Sequence, residues 1–310
     1  ILIIIGCVAL IKGADWLVEG ASSIAKRFGI SDLVIGLTVV ALGTSMPEFV
    51  VNMVSVANGA TELAITNVLG SNIINIFIIL GLSAVVYPIA SQKRSRHFDI
   101  PYSILAAIVV LVCVLINGDG INRAAGIVMV ILFVVFLYNT FKNAKSTDNP
   151  QEETIVAQPQ PAWKALIAIV GGLLGLIIGG ELIVKSAVDI ATRLGVSEAI
   201  IGLTIVALGT SLPELATSVI AATKKNADIA LGNVVGSNIF NIFLILGTSA
   251  VIKPLPAYQG LAVDACMAAV GSVLVWLFIQ TNRQRKLTRW GGATLLLCYA
   301  AYLTYRIVTL

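Results

Sequence analysis

Two glutamates lie within long apolar stretches of this chain, in almost the same short motif. Glu48 ends the segment GTSMPE and Glu214 ends the segment GTSLPE. Ionisable side chains are rare in membrane segments because they are costly there, and they usually serve function. Each proline removes a backbone hydrogen bond, and Gly43 or Gly209, four residues earlier, weakens the helix further. We therefore predict two broken helices that offer carbonyl, hydroxyl and carboxylate oxygens, which hard cations such as Ca²⁺ and Na⁺ prefer.

A second pair of motifs carries amide and hydroxyl groups. Ser71 and Asn75 are four residues apart and therefore share one face of a helix, which Asn67 joins one turn earlier. Such a stripe can supply ligand oxygens, or it can hold helices together by hydrogen bonds, and the sequence leaves both interpretations open. The residues of the two motifs are Asn67, Ser71, Asn72 and Asn75, repeated as Asn233, Ser237, Asn238 and Asn241.

The glutamates also have a structural interpretation. A single glutamate in a membrane segment can be a protonated, buried residue with no role in binding. Two glutamates at matching helix breaks favour a functional site instead. The other acidic or basic residues within apolar segments are interpreted as paired or interfacial, and these are Asp15, Glu19, Glu181, Lys185, Asp189 and Asp264.

The composition indicates an all-α integral membrane protein. Of the 310 residues, 58% are hydrophobic and 12% are charged, whereas soluble domains are about 25% charged. The apolar runs are continuous, unlike the alternating strands of a membrane barrel. The four cysteines lie in apolar runs and are expected to be small buried residues without disulfides. One histidine excludes a histidine-rich metal site, and no cofactor or catalytic residue is indicated.

The elements that must position these residues are membrane-spanning helices. A span needs about 20 mostly apolar residues. Ten segments meet that requirement, and the second, third, seventh and eighth carry polar residues that could break them. The predicted spans are 1–25, 32–57, 66–90, 99–117, 121–141, 163–191, 198–222, 228–252, 259–280 and 288–308.

The two halves of the chain are repeats. Residues 29–48 match residues 195–214 at 14 of 20 positions, and residues 67–81 match 233–247 at 12 of 15, with a constant offset of 166. Each half has five predicted spans, so the second must enter the membrane from the opposite side. We therefore predict two inverted-topology five-helix repeats, at 1–142 and 162–310, joined by a proline-containing linker at 143–161.

The loop charges predict the orientation. Fourteen lysines and arginines lie in one set of loops and four in the other. Because basic loops stay cytoplasmic, both termini are expected outside, in a multi-pass protein of the cell (inner) membrane. The net charge of +4 comes from this bias, so it gives no reason to expect a nucleic-acid partner. No obligate protein partner is evident either.

With GTSMPE, GTSLPE and the two GSNI-x-N motifs, the whole chain resembles the sodium/calcium exchanger family. This resemblance implies a central cluster of cation sites, with Na⁺ and Ca²⁺ as substrates in a lipid bilayer and no enzymatic activity. It also implies that the first and sixth spans, around Gly13 and Gly179, form the mobile pair. The positions that match the family's ligands are Glu48, Glu214, Thr44, Thr210, Ser45, Ser211, Ala41, Ala207, Ser71, Ser237, Asn75 and Asn241.

Asn241 bears on the coupling ion. Potassium-dependent exchangers resemble one another in carrying Asp at this place, so Asn here predicts K⁺-independent transport. The resemblance also suggests three Na⁺ for each Ca²⁺, which makes the exchange electrogenic. The short linker has no counterpart of the regulatory calcium-binding domain found in animal exchangers.

Three alternatives remain at this point. A proton-coupled calcium antiporter would use the same glutamates, titrating instead of binding Na⁺. A cation channel is disfavoured because two inverted halves build occluded sites rather than a continuous pore. An intramembrane aspartyl protease also needs two carboxylates, but neither glutamate lies in a Gly-x-Gly-Asp context.

Overall fold

The computed structural model describes residues 2–117, 120–144, 160–194 and 207–309. Nearly all of these residues are helical, and four two-residue strands join the ends of the helices in pairs. The helices are α1 (Leu2–Phe28), α2 (Asp32–Thr44), α3 (Met46–Ala57), α4 (Thr61–Val86), α5 (Ser95–Asp99 continued by Ile100–Asn117), α6 (Arg123–Lys142), α7 (Ala162–Arg193), α8 (Ala207–Thr210), α9 (Leu212–Thr223), α10 (Ala227–Ile252), α11 (Leu261–Thr281) and α12 (Arg289–Thr309).

The chain is a multi-pass membrane protein. Within the described ranges, α4, α5, α6, α7, α10 and α11 are each long and apolar enough to cross a membrane, and the bent pair α2–α3 makes a seventh candidate. The first predicted span is the helix α1, which lies outside this set and carries Lys12, Asp15 and Glu19. The last is the helix α12. The predicted seventh span and the linker fall partly outside the described residues.

The strands pair across the two halves of the chain. β1 (Ile89–Ala90) pairs with β4 (Lys286–Leu287), and β2 (Gly120–Ile121) pairs with β3 (Leu255–Pro256), both antiparallel. Adding 166 to a strand of the first half gives its counterpart in the second, so each pairing is the other with the halves exchanged. This reciprocity is what a two-fold relation between the halves produces.

Contacts between helices also recur when the two halves of the chain are interchanged. A Cβ atom placed on Gly81 of α4 would lie 3.1 Å from the carbonyl oxygen of Gly292 in α12. A Cβ on Gly247 of α10 would lie 3.2 Å from the carbonyl oxygen of Gly126 in α6. Gly247 and Gly126 are the counterparts of Gly81 and Gly292, so the two halves pack on each other in matching ways.

The helices α1 and α7 form a closely packed pair. A Cβ on Gly13 would lie 2.7 Å from the carbonyl oxygen of Gly172, and one on Gly172 would lie 2.7 Å from that of Gly13. The contact recurs two turns away, where a Cβ on Gly6 would lie 2.9 Å from the carbonyl oxygen of Gly179. Small residues let membrane helices approach backbone to backbone. Any larger side chain at these levels would separate α1 from α7.

The core lies where α4 and α10 cross the centre of the molecule. Almost all of α10 and most of α4 are buried, whereas the faces of α6 and α7 are largely exposed. Many of the exposed side chains of these outer helices are large and apolar, as a bilayer requires. The cysteine prediction was partly wrong, since Cys7 and Cys266 are exposed on this outer surface and only Cys113 and Cys298 are half-buried.

Asp264 was predicted to lie near a helix end at the membrane interface, and the structure adds that its side chain is buried within the protein. It is 5% exposed, at the start of α11. Its carboxylate accepts hydrogen bonds from the hydroxyls of Tyr258 (2.5 Å) and Tyr302 (2.8 Å) and pairs with Arg306 at 3.3 Å. Burial and this carboxylate raise the pKa of Tyr258 well above its usual value, so the phenol stays protonated and donates. A partner across the helix pair thus compensates a charge that the sequence alone places at the surface.

Candidate cation-binding site

Two helix breaks position the glutamates. Ser45 separates α2 from α3 with φ −83° and ψ 4°, and Ser211 separates α8 from α9 with φ −87° and ψ 5°. The axis of α2 bends by 46° into α3. Pro47 and Pro213 fall in the first turn of the following helices, where a missing N–H is tolerated. The predicted breaks are therefore confirmed at both motifs.

Each glutamate lies in the first turn of the helix after the break. Glu48 and Glu214 are fully buried, at 0% and 1% exposure. The positive end of a helix dipole favours a carboxylate in this position. Their main-chain carbonyls are also fixed, because Asn67 Nδ2 donates to the Glu48 carbonyl at 3.5 Å and Asn233 Nδ2 to that of Glu214 at 3.3 Å.

At the site, a serine hydroxyl of each half contacts the glutamate of the other half. The Ser45 hydroxyl donates to Oε1 of Glu214 at 3.0 Å, and the Ser211 hydroxyl lies 3.4 Å from Oε1 of Glu48. These two contacts are counterparts under the offset of 166. Each carboxylate is therefore held by the helix break of the opposite half, and the two breaks meet in one place.

Asparagines of α4 and α10 form a second reciprocal set. Asn75 Nδ2 donates to Oδ1 of Asn238, and Asn241 Nδ2 donates to Oδ1 of Asn72, both at 3.0 Å. The amide oxygens of Asn75 and Asn241 have no hydrogen-bond donor. The helices turn π-helical at this level, over Asn75–Leu80 and Phe240–Leu246, a feature frequent at functional sites. Hydrogen bonding between helices and free oxygens thus coexist in the stripe.

Several buried oxygens of the predicted site have no hydrogen-bond partner. Buried polar atoms are normally satisfied, and an unpaired buried charge is more costly still. Six of these seven atoms form three pairs of counterparts in the two halves, so the unpaired set largely repeats the symmetry of the site. The atoms are Oε2 of Glu48 and Glu214, Oγ of Ser71 and Ser237, Oδ1 of Asn75 and Asn241, and Oγ1 of Thr210.

The remaining predicted residues lie at the same breaks. The Thr44 hydroxyl is 3.0 Å from Asn233 Oδ1 and 3.1 Å from the Val40 carbonyl oxygen, so it can donate to only one of them at a time. The Ala41 carbonyl oxygen accepts from the Ser45 amide at 3.0 Å. Ala207 begins α8, one turn before the second break. All twelve predicted residues therefore belong to the breaks or to the α4 and α10 stripes that run beside them.

Sequence reasoning missed the residues that support the glutamates from the next turn. Asn52, four residues after Glu48, donates to its carbonyl oxygen at 3.2 Å. At the counterpart position, Ser218 accepts from Asn233 at 2.9 Å. The four-residue spacing after each glutamate was the available signal. Both hydrogen bonds help to fix the position of the turn that follows each glutamate.

The charged residues predicted to be paired do not join the site. Lys185 pairs with Glu181 at 2.6 Å and Arg193 with Asp189 at 3.0 Å, all on exposed parts of α7. Among the described residues there is no group of three or more His, Cys, Asp or Glu side chains that could hold a metal. The site therefore combines two carboxylates with neutral oxygens.

A cavity of about 480 Å³ reaches the site from one side. It lies between α3, α7 and the break before α9, and its lining includes Pro47, Thr210 and Pro213. Most of its surface is apolar, and the charged pair Glu181 and Lys185 lies on its wall. Among the residues with unpaired oxygens, Thr210 lines the cavity, so the cavity borders one edge of the site.

The sodium/calcium exchanger protein family matches residues 1–142 and 164–308. The chain belongs to the sodium/calcium exchanger family. One relative is the sodium/calcium exchanger MaX1 of Methanosarcina acetivorans, 33% identical over 98% of this chain and 97% of its own length. Another is the putative antiporter CaxA of Alkalimonas amylolytica, 37% identical over 97% of this chain and 96% of its own length.

Solved structures place this exchanger-family chain in the same fold as the sodium–calcium exchanger NCX_Mj. A structure of NCX_Mj soaked with Na⁺ and Ca²⁺ superposes with a TM-score of 0.85, at 36% identity, covering 97% of this chain and 96% of that one. A more distant relative, the Ca²⁺/H⁺ antiporter ChaA of Bacillus subtilis, is 24% identical over 96% of this chain and 90% of its own length.

Proposed function

We propose that this chain is a secondary antiporter that exchanges Na⁺ for Ca²⁺ across a membrane by alternating access. The observation that carries the proposal is the reciprocal pair of buried glutamates, Glu48 and Glu214, each with one carboxylate oxygen held by the other half and one unpaired. Carboxylate, hydroxyl and amide oxygens form the ligand set of hard cations.

The proposed ligands are the twelve residues named above. Glu48 and Glu214 supply the negative charge, Ser71, Ser237, Asn75 and Asn241 supply unpaired neutral oxygens, and Thr44, Thr210, Ser45 and Ser211 supply hydroxyls at the breaks. Main-chain oxygens of Ala41 and Ala207 complete the set. Ca²⁺ takes six to eight oxygens in flexible arrangements, a number that these groups provide.

Competition for the same oxygens couples the two ions. A bound Ca²⁺ neutralises both carboxylates, and sodium ions share the same carboxylates in subsets, so the two loads exclude each other. Three Na⁺ leave the site one charge more positive than one Ca²⁺ does. Moving that charge is worth about 2.3 kcal/mol per 100 mV, which makes the exchange electrogenic.

Asn241 supports independence from K⁺. Its amide nitrogen is used to hold Asn72 at 3.0 Å, and its oxygen is neutral and unpaired. An aspartate here would add a third negative charge and lose the donor. A site with two carboxylates and an amide therefore has no additional charge for a potassium ion to balance.

The membrane arrangement is part of the proposal. Ten spans in two inverted repeats, at 1–142 and 162–310, are supported by the reciprocal contacts of Gly81 with Gly292 and of Gly126 with Gly247. The loop charges favour a cytoplasmic linker at 143–161 and both termini outside a cell membrane. The site then lies midway across the membrane, where both halves contribute equally.

A proton-coupled calcium antiporter is the second candidate. The resemblance to ChaA over nearly the whole chain favours it. In that case Glu48 and Glu214 would exchange protons for Ca²⁺ at the same site. The fold and the ligands would be unchanged, and only the driving ion would differ.

Uptake of ⁴⁵Ca²⁺ into proteoliposomes tests the proposal. Vesicles loaded with Na⁺ are diluted into Na⁺-free medium, beside K⁺-loaded vesicles and vesicles with a pH gradient. We expect uptake only with the outward Na⁺ gradient, saturating with Ca²⁺ and enhanced by a potential that draws positive charge outward. Uptake driven by the pH gradient alone would replace Na⁺ by H⁺ in the proposal, and non-saturating flux without a counter-ion would indicate a channel.

A further inference from the structure

The open cavity has a counterpart in the other half of the chain that is closed. Subtracting or adding 166 converts each residue of its lining into a residue of a second path, between α1, α9 and the break after α2. Thr210 becomes Thr44, Val184 becomes Val18, and Val50 becomes Ala216. The second path would reach the same glutamates from the opposite side of the membrane.

Exposure differs sharply between the two paths. Val50 on the open path is 56% exposed, whereas its counterpart Ala216 is 9% exposed. Val184 is half-buried and Val18 is 2% exposed. Residue types are similar at these positions, so the difference lies in how the helices pack. The structure is therefore open on one side of the site and sealed on the other.

A cross-helix ion pair accompanies the seal. Lys224, at the end of α9, places its Nζ atom 2.5 Å from Asp15 Oδ1 and 2.8 Å from Glu19 Oε1 of α1. Lys224 and Asp15 are partly buried, and Glu19 is exposed. The ion pair lies across the seam where α1 packs along α9, and it lies outside the site.

Among the residues that the structure describes, no such ion pair joins the helices on the open side. Glu181 and Lys185 of α7 are the counterparts of Asp15 and Glu19, but they pair with each other on their own helix. The counterpart of Lys224 is Asn58, a neutral residue that ends α3. The acid-to-base change at Lys185 and the base-to-neutral change at Asn58 remove the cross-helix pair from one side only.

We propose that Lys224, bound by Asp15 and Glu19, is a latch that holds the second access path closed. The inference deepens the proposed alternating access and rests on it. Because α1 and α7 are packed backbone to backbone, they move together. When α1 leaves α9, α7 approaches α3, so opening the second path closes the first.

The latch makes the two conformations unequal. The matching ligands of the two halves give by themselves no preference for one side. With the latch, the state open beside α7 gains an ion pair that the opposite state lacks. Removing the charge of Lys224 therefore shifts the population toward the state open beside α1.

Reciprocal cysteine labelling tests this inference without measuring transport. Val50→Cys reports the open path and Ala216→Cys the closed one, each in a protein whose four native cysteines are replaced by alanine. The proteins are held in lipid nanodiscs, so a membrane-impermeant maleimide reaches both faces. Lys224→Met is compared with Lys225→Met, a matched control because Lys225 is the exposed neighbour of Lys224.

We expect Lys224→Met to raise the labelling rate at position 216 about tenfold and to lower that at position 50, as a population shift requires. Lys225→Met should change neither rate. Glu19→Gln, which leaves Asp15 in place, should give a smaller shift in the same direction. A general loosening of the fold would raise both rates together, and that result would overturn the latch.

Unchanged rates in a folded Lys224→Met protein, monodisperse and fully helical, would also overturn it. The proposed function is tested separately, by the uptake measurement. If labelling shifts reciprocally but the parent protein shows no Na⁺-driven Ca²⁺ uptake, the latch stands and the proposed exchange falls.

Discussion

The two halves of the chain correspond residue by residue at the centre of the molecule, but not at the ends of its outer helices. At the centre, every proposed ligand has the same residue type in both halves. The carboxylate of Glu48 is held by Ser211 as that of Glu214 is held by Ser45. At the outer ends, buried charges are also compensated in both halves, but by different residues in different places.

The outer ends each contain a buried aspartate and an arginine. In the second half, Asp264 of α11 pairs with Arg306 of α12. In the first half, Asp99 of α5 pairs with Arg94 of the preceding turn at 3.6 Å. The counterpart of Arg94 is Gly260, where a Cβ would fall against the guanidinium group of Arg306. One half thus fills this space from the loop, and the other fills it from the last helix.

The two pairs differ in how well they are satisfied. Both oxygens of Asp264 accept hydrogen bonds from tyrosine hydroxyls. Neither oxygen of Asp99 accepts a hydrogen bond among the described residues. Arg94 instead donates to the carbonyl oxygens of Thr140 and Asn143 at the end of α6. The proposed function uses the same atoms from both halves at the centre, whereas stability at the ends requires only that a buried charge has a partner.

Removal of either central carboxylate should give the largest effect. We expect Glu48→Gln and Glu214→Gln to lower Na⁺-driven Ca²⁺ uptake equally, by roughly a hundredfold or more, because Ca²⁺ affinity follows the number of charged ligands. Proteoliposome uptake measures this, with Glu62→Gln, on the exposed first turn of α4, as a control that should transport normally. Normal uptake by either site variant would remove that glutamate from the site.

Loss of Asp264 should cost more stability than loss of Asp99. Asp264→Asn leaves Arg306 without its charge partner and weakens two tyrosine hydrogen bonds, so we expect a loss of about 3 kcal/mol. Asp99→Asn should cost about 1 kcal/mol, because Arg94 keeps its carbonyl partners. Thermal unfolding in detergent compares them, and equal losses would contradict the stated difference between the ends.

Aspartate at either central amide should give a smaller and symmetric effect. Asn241→Asp loses the donor to Asn72, and Asn75→Asp loses the donor to Asn238. We expect each to lower Ca²⁺ uptake about tenfold, since an unsatisfied buried acceptor costs about 1–3 kcal/mol. Dose–response curves for Ca²⁺ would measure the change. A large effect of one variant alone would show that the halves are unequal at the site.

External potassium should have no effect on the parent protein. Asn241 adds no charge to the site, so replacing K⁺ by choline in the medium should leave the rate of Na⁺-driven Ca²⁺ uptake unchanged. The membrane potential is clamped at the same value in both media. A strict requirement for K⁺ would show that the interpretation of Asn241 is wrong.

The sequence predicted the parts of the site that depend on local covalent structure. Proline at positions 47 and 213 cannot donate the backbone hydrogen bond that would continue the preceding helix, so the breaks and the glutamates after them could be located. It did not predict that Asn75 and Asn241 turn their oxygens away from their partners, because that depends on which amide each nitrogen meets. Nor could it place Asp264 inside, since Tyr302 and Arg306 lie far along the chain.

The conformation was equally beyond the sequence. Apart from Lys185 against Glu19 and Val51 against Thr217, the two access paths have similar linings, and these residues alone do not show why Val50 is exposed and Ala216 is buried. The difference in exposure between Val50 and Ala216 depends on how α1 and α7 pack against α9 and α3. Lys224 is a visible asymmetry in the sequence, but its role depends on the distances to Asp15 and Glu19.

The serine–glutamate contacts between the halves also bear on how such a protein could arise and assemble. They join Ser45 to Glu214 and Ser211 to Glu48. Neither half contains a complete site, since each carboxylate is oriented by a group from the other. In the proposed inverted-repeat arrangement, a single half made alone could rebuild the site only by meeting a second copy inserted in the opposite orientation. Fusion of the halves removes that requirement, because every chain then delivers both orientations in equal number.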